Sequence, residues 1–132
     1  MKANELMLGD WVSSRGKKEK VISIYDGFIC TDSFVDSHDY LFEPIPLTAE
    51  ILEKNGFVKV RDFLWEIRSQ DTCIKYEWHG KIMVEITNKL TKKDEYGRCN
   101  IAAFTIGWLE DMYVHELQHA LRLCGIDKEI VL

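Results

Sequence analysis

Two-residue alternation between residues 57 and 106 constrains this chain more than any other feature. Phe63, Trp65 and Ile67 alternate with Leu64, Glu66 and Arg68; Ile74, Tyr76 and Trp78 share one face of a second strand, and Ile82, Val84 and Ile86 one face of a third. Side chains along a strand point alternately to opposite faces, so the pattern predicts an antiparallel meander with one face covered and one wet. His79-Gly80 supplies a tight turn, residues 88 to 98 a charged loop, and Cys99 to Ile106 a mostly apolar fourth strand. The segment 109–124 reads as the helix that covers the sheet. With Leu117 at the centre of a helical wheel, Tyr113, Ala120, Leu121 and Cys124 all fall within about 60° of it.

Residues 1–43 predict a small N-terminal β unit, SH3-like in kind. Short strands are expected at Asp10 to Ser13, Lys20 to Tyr25 and Phe28 to Thr31, with Val21, Ser23 and Tyr25 on one side of the second and Ile22 and Ile24 on the other. Asp26-Gly27 is a strong hairpin signal, because both central positions of a type I′ turn need positive φ. Residues 32 to 39 read as a polar loop and Tyr40 to Phe42 as a brief pairing segment, before Pro44 and Pro46 halt any ladder. A short central helix then starts at Thr48, whose hydroxyl can accept from a free N–H of the first turn. Leu47 and Leu52 stand at hydrophobic-staple positions, and Asn55-Gly56 ends the helix.

These elements make an α+β chain: the N-terminal β unit, the short helix, a four-stranded antiparallel meander and a C-terminal helix. The length of 132 residues suits one domain, with possible sub-units at 1–43 and 44–132. With 46% hydrophobic and 30% charged residues the chain has the composition of a globular protein with a real core. A net charge of -5 weighs against coating nucleic acid or an anionic membrane. No apolar stretch approaches the ~20 residues of a membrane helix, and no secretory signal is visible. Cys30, Cys73, Cys99 and Cys124 form no Cys-x-x-Cys pair, so core thiols in a reducing cytoplasm are expected.

One string carries candidate chemistry. His115-Glu116-Leu117-Gln118-His119 fits the His-Glu-x-x-His signature of zinc peptidases, in which two imidazoles one helical turn apart hold Zn²⁺ and the glutamate activates water. On this reading His115 and His119 are metal ligands, Glu116 is the general base and zinc is the cofactor. Three points oppose it. The wheel sets both histidines about 160° from Leu117, on a polar face shared with Arg122, a permanent cation. The metzincin third histidine is replaced by Gly125, which leaves only Asp127, Glu129, His38, His79 or Asp111 as a third ligand. Such a pentapeptide also arises by accident in roughly one chain of this size in several hundred. A solvated helix face is the expectation, with no catalytic, metal or cofactor residue.

Three segments carry a family resemblance: Glu5-Leu6-Met7-Leu8-Gly9-Asp10-Trp11-Val12; Pro44 through Asn55-Gly56-Phe57; and Tyr113-Val114-His115-Glu116-Leu117-Gln118 with Ala120-Leu121 and Gly125. In these the chain resembles a family of small uncharacterised proteins from prophages and mobile elements of Bacteroides-type bacteria. The resemblance implies glutamine as a common residue at the position of Glu116 and asparagine at that of His119. It implies that His115, Leu117 and Gln118 are the shared part of the motif, which suits packing or a surface contact. It supplies no activity.

Two further clusters complete the reading. Asp32, Asp36, His38 and Asp39 form an acidic loop without EF-hand spacing, expected to be solvated. Arg15, Lys17, Lys18 and Lys20, with Lys89, Lys92 and Lys93, make basic loops that, with Trp11 and Tyr25 nearby, allow a weak nucleic-acid-binding alternative. The leading expectation is a non-enzymatic accessory protein that binds a protein partner, away from membranes.

Overall fold

The computed structural model describes residues 1–33, 37–69, 72–77, 81–87, 101–106 and 113–132, with backbone alone for 72, 81–87 and 101–106. Mixed helices and antiparallel strands make it an α+β fold. The chain forms two compact units, Met1–Leu47 with Tyr113–His119, and Thr48–Met112 with Ala120–Leu132.

The first unit opens with a 3-10 turn at Ala3–Glu5, followed by β1 (Trp11–Ser14), β2 (Lys17–Tyr25), β3 (Phe28–Thr31) and β4 (Ser37–His38). A second 3-10 turn, Asp39–Leu41, leads to β5 (Glu43–Pro44), which returns to pair with β1 and gives the sheet order β4-β3-β2-β1-β5. The two long hairpins close through the same device. Asp26 and Gly27 have φ of 50° and 83°, and Arg15 and Gly16 have 50° and 78°. This is the doubly positive turn that matches strand twist; the first was expected from its Asp-Gly pair and the second was not. The core gathers Ala3, Leu6, Val12, Val21, Ile29 and Phe42, with Met1, Ile24 and Leu41 packed against it.

Four expectations for this unit need correcting. Ile22 and Ile24 do not share a face: the β2–β3 register shifts between Val21 and Ser23, so Val21 and Ile24 face the core while Ile22 is exposed. A bulge of this kind inserts one residue and resets the phase of the alternation. Tyr40 to Phe42 is mainly the 3-10 turn rather than a strand, and Ser37–His38, expected in a loop, pairs with β3. Pro44 does not stop the ladder outright. It sits opposite Val12 on β5, an edge strand, where its missing N–H costs no bond.

The second unit begins with α1 (Ala49–Lys54), capped as expected by Thr48, whose Oγ1 accepts from the Ile51 N–H at 3.3 Å. Asn55 is the C-cap and Gly56 follows at φ 84°. The Asn55 side chain is buried and ties the C-terminal tail to this helix end. Its Nδ2 donates to the carbonyls of Ile51 and Val131, and its Oδ1 accepts from the Val131 N–H, all at 2.7 Å.

The sheet of this unit has five strands: β6 (Val58–Arg61), β7 (Leu64–Arg68), β8 (Thr72–Glu77), β9 (Lys81–Thr87) and β10 (Ile101–Ile106), in the order β10-β9-β8-β7-β6. The meander is as expected, with β6 added at its edge. Every residue of β6 is exposed, so no alternation announced it. The expected alternation of Phe63 with Trp65 and Ile67 does not hold at its first member: Phe63 sits in the β6–β7 turn at φ 65° and is 59% exposed, while Leu64 and Trp65 are both buried. The buried apolar residues of this unit include Leu52, Phe57, Ile74, Tyr76, Ala120, Leu121 and Ile130. Trp78, the His79-Gly80 turn, the 88–98 loop, Cys99, the helix start at 109–112 and Asp36 lie outside the described residues.

Candidate functional site

The pentapeptide lies on α2 (Val114–Leu123), whose start is fastened within the first unit. The Val114 N–H donates to the Ile45 carbonyl at 2.9 Å, and Tyr113 bridges to Pro46. Val114, Leu117, Ala120 and Leu121 are buried, as the wheel requires, but so are His115 and Gln118. The polar face is therefore covered at His115 and Gln118, while Arg122 further along it is exposed. A wheel states which residues share a face; it does not state what that face meets, and here it meets the segment 9–11.

Each polar side chain of the string has a defined place. Glu116, at the third helical position, reaches back to accept the Tyr113 N–H at 2.9 Å and satisfies one of the N–H groups that a helix start leaves open. Gln118 acts as a clamp: its Oε1 accepts from the Trp11 N–H and its Nε2 donates to the Gly9 carbonyl, both at 2.9 Å. His119 Nε2 lies 2.6 Å from Oδ2 of Asp10, a fully buried carboxylate that also accepts from the Met7 N–H at 2.7 Å. A carboxylate only accepts, so Nε2 carries the proton in this bond. The His115 ring stacks on Tyr113 at 5.9 Å between centroids and meets His119 edge-on at 5.7 Å. Its Nδ1 is buried with no hydrogen-bond partner.

Burial decides the proton affinities. It pushes the His115 imidazole below the usual 6.5, opposed by the carboxylates of Asp10 and Glu5 and assisted by His119. Burial also raises the Glu116 carboxyl above its usual 4.5, against the Tyr113 N–H and His119, which favour the charged form. The Cys124 thiol is raised by burial too, which keeps it protonated and a poor nucleophile.

Among the described residues, the polar groups of the string are engaged in other ways than as zinc ligands. Two ligands at about 2.1 Å from a tetrahedral zinc stand about 3.4 Å apart. The 2.6 Å contact of His119 with Asp10 is instead a direct hydrogen bond. Among the described residues no three His, Cys, Asp or Glu side chains gather where they could hold a metal. His38 belongs to another cluster, between the rings of Phe28 and Tyr40. Asp127 and Glu129 are exposed on the tail, and His79 and Asp111 lie outside the described residues. Glu116 Oε2 is engaged as a cap.

The nucleic-acid cluster is also divided. Arg15, Lys17 and Lys18 are exposed around the β1–β2 turn, and Lys20 lies over the Trp11 ring at 5.0 Å. Tyr25 stands at the opposite end of β2, about 26 Å from Lys17 at strand rise, so it is not beside the basic turn. Lys89, Lys92 and Lys93 lie outside the described residues. Cys30, Cys73 and Cys124 carry thiols, not disulfides.

Sequence reasoning missed Asp10 as the partner of His119 and Gln118 as a clamp. Neither segment carries a local signal for this pairing, since the partners lie 107 and 109 positions apart. No helix among the described residues is long and apolar enough to cross a membrane. In comparisons with known proteins, no family model, curated protein or solved structure matches the chain.

Proposed function

We propose that this protein is a non-catalytic accessory protein of a prophage or mobile element, working in the cytoplasm by binding a protein partner. The observation that carries the first half is the employment of the pentapeptide. Glu116 caps its own helix, Gln118 clamps Gly9 and Trp11, and His119 holds Asp10. A catalytic base must reach a water or substrate and metal ligands must converge on one ion; here Glu116 bonds a backbone N–H and His119 Nε2 bonds a buried carboxylate. The mobile-element origin rests on the family resemblance alone. Partner binding is supported by the apolar side chains left on the surface of the first unit, Leu8 at 61%, Ile22 at 55% and Tyr25 and Tyr40 at 72% each. Strand β5 returning to β1 after a 3-10 turn supports an SH3-like reading of that unit.

Metal analysis of protein purified without a histidine tag tests the non-catalytic half. The expected result is no stoichiometric zinc and unchanged stability on adding chelator. Zinc bound at one equivalent and lost in His115→Ala, with a hydrolytic activity lost in Glu116→Gln, would overturn it. The binding half is tested in the native host by placing a photo-crosslinking residue in turn at Leu8, Ile22, Tyr25 and Tyr40. A discrete protein adduct at some of these positions is expected; adducts at none of them would refute it.

A further inference from the structure

The far end of β2 carries an aromatic ladder at the surface. Phe28 and His38 are cross-strand partners with ring centroids 4.7 Å apart, and His38 stacks on Tyr40 at 5.4 Å with only 16° between the planes. Tyr25 pairs with Phe28 across the Asp26-Gly27 turn, and both Tyr25 and Tyr40 are 72% exposed. Exposing this much ring surface forgoes burial that a folding chain gains from, and the stack holds the rings in one arrangement.

The charged residues adjoining the rings in sequence are acidic: Asp26 lies in the turn that joins Tyr25 to Phe28, and Asp39 stands between His38 and Tyr40, where its Oδ2 accepts from the Ala3 N–H at 3.3 Å. No lysine or arginine occurs between Val21 and Glu53. The basic residues of the first unit are at Lys2 in the N-terminal turn and at the other end of β2, around Arg15 and Gly16. A pre-stacked set of rings flanked by carboxylates repels a phosphate backbone and attracts a cation that has a flat face. Guanidinium meets both demands, stacking on an aromatic ring and pairing with a carboxylate in its plane.

We infer that the Tyr25–Phe28–His38–Tyr40 surface is a docking site for an arginine-bearing segment of the protein partner. The inference rests on the partner-binding reading above and names the chemistry of the partner.

Titration of the full chain with a short Gly/Ser-spaced peptide bearing arginines, watched through the ring resonances of His38 and Tyr40, tests it. Binding that perturbs these rings is expected. The same peptide with lysines should bind more weakly, and Tyr40→Ala should weaken the arginine peptide about fivefold to thirtyfold. Tyr40→Phe should keep most of the affinity. Both side chains at position 40 are largely solvated, so an unchanged melting temperature certifies the fold; Tyr25→Ala provides an independent second variant. No binding of the arginine peptide, equal binding of both peptides with no effect of either alanine variant, or Tyr40-dependent binding of oligothymidylate would each overturn the inference. If the crosslinker at Tyr40 captures a protein through a contact segment without arginine, this inference fails while the partner-binding reading stands.

Discussion

At the scale of single residues, the pentapeptide shows how a motif of catalytic spelling is used for fastening. Glu116 needs only an acceptor oxygen to cap Tyr113, and burial disfavours its charge. Glu116→Gln keeps the acceptor and removes the charge, so it should leave the fold intact and slightly raise stability at neutral pH, read by urea unfolding. Gln118 is less replaceable. Gln118→Ala strands the Trp11 N–H and the Gly9 carbonyl, and the expected loss is about 2–3 kcal/mol in the same measurement. His115 sets a pH dependence. Its folded pKa lies below the unfolded 6.5, so the unfolded chain binds the extra proton first. Its contribution is whole above 6.5 and is lost as pH falls through the folded value. Glu116 runs the other way: its raised pKa favours the folded state below 4.5, and that advantage fades as pH rises through the folded value. Between pH 7 and 5, stability should therefore fall more steeply in the native chain than in His115→Gln; equal slopes would show that the buried imidazole carries no linkage.

At the scale of elements, what could be read was what has a local physical cause. The Asp26-Gly27 hairpin, the Thr48 cap and the Asn55-Gly56 helix end each depend on a few adjacent residues, and each stands where expected. The buried stripe of α2 was legible for the same reason, since 3.6-residue periodicity is local. The β2 bulge, strand β6 and the covered polar face of α2 were not, because each depends on what lies across from the segment. Phe63 is the clearest case. Its alternation with Trp65 suggested a shared face, but the hairpin puts it at φ 65°, a conformation that costs a β-carbon-bearing residue roughly 1 kcal/mol. Phe63→Gly should therefore raise the melting temperature by a few degrees, and a lowered one would mean that the exposed ring makes contacts worth more than the strain.

At the scale of the whole molecule, the sequence order and the physical units do not coincide. Pro44 and Pro46 suggest possible sub-units at 1–43 and 44–132; the first compact unit runs to Leu47 and also includes Tyr113–His119. Nothing in residues 1–47 announces that Asp10 needs a histidine or that the Trp11 N–H needs an amide from the far end of the chain. Residues 1–47 alone should consequently lack cooperative unfolding, and a peptide spanning 113–123 added in trans should restore it, as judged by amide dispersion in NMR spectra. The second unit is tied at its own end: Asn55→Ala frees Val131 and should cost about 2–3 kcal/mol, visible in the same unfolding experiments.

The clamp formed by Gln118 also sets a schedule. It joins positions separated by 107 residues, so a ribosome working at the usual pace releases the clamp roughly 5–20 s after the strand it grips. Throughout that interval the nascent β unit holds a carboxylate without its histidine and a backbone N–H without its amide. The young chain is thus open to proteases and to premature association at its N-terminal end, and it becomes secure only when the final helix arrives.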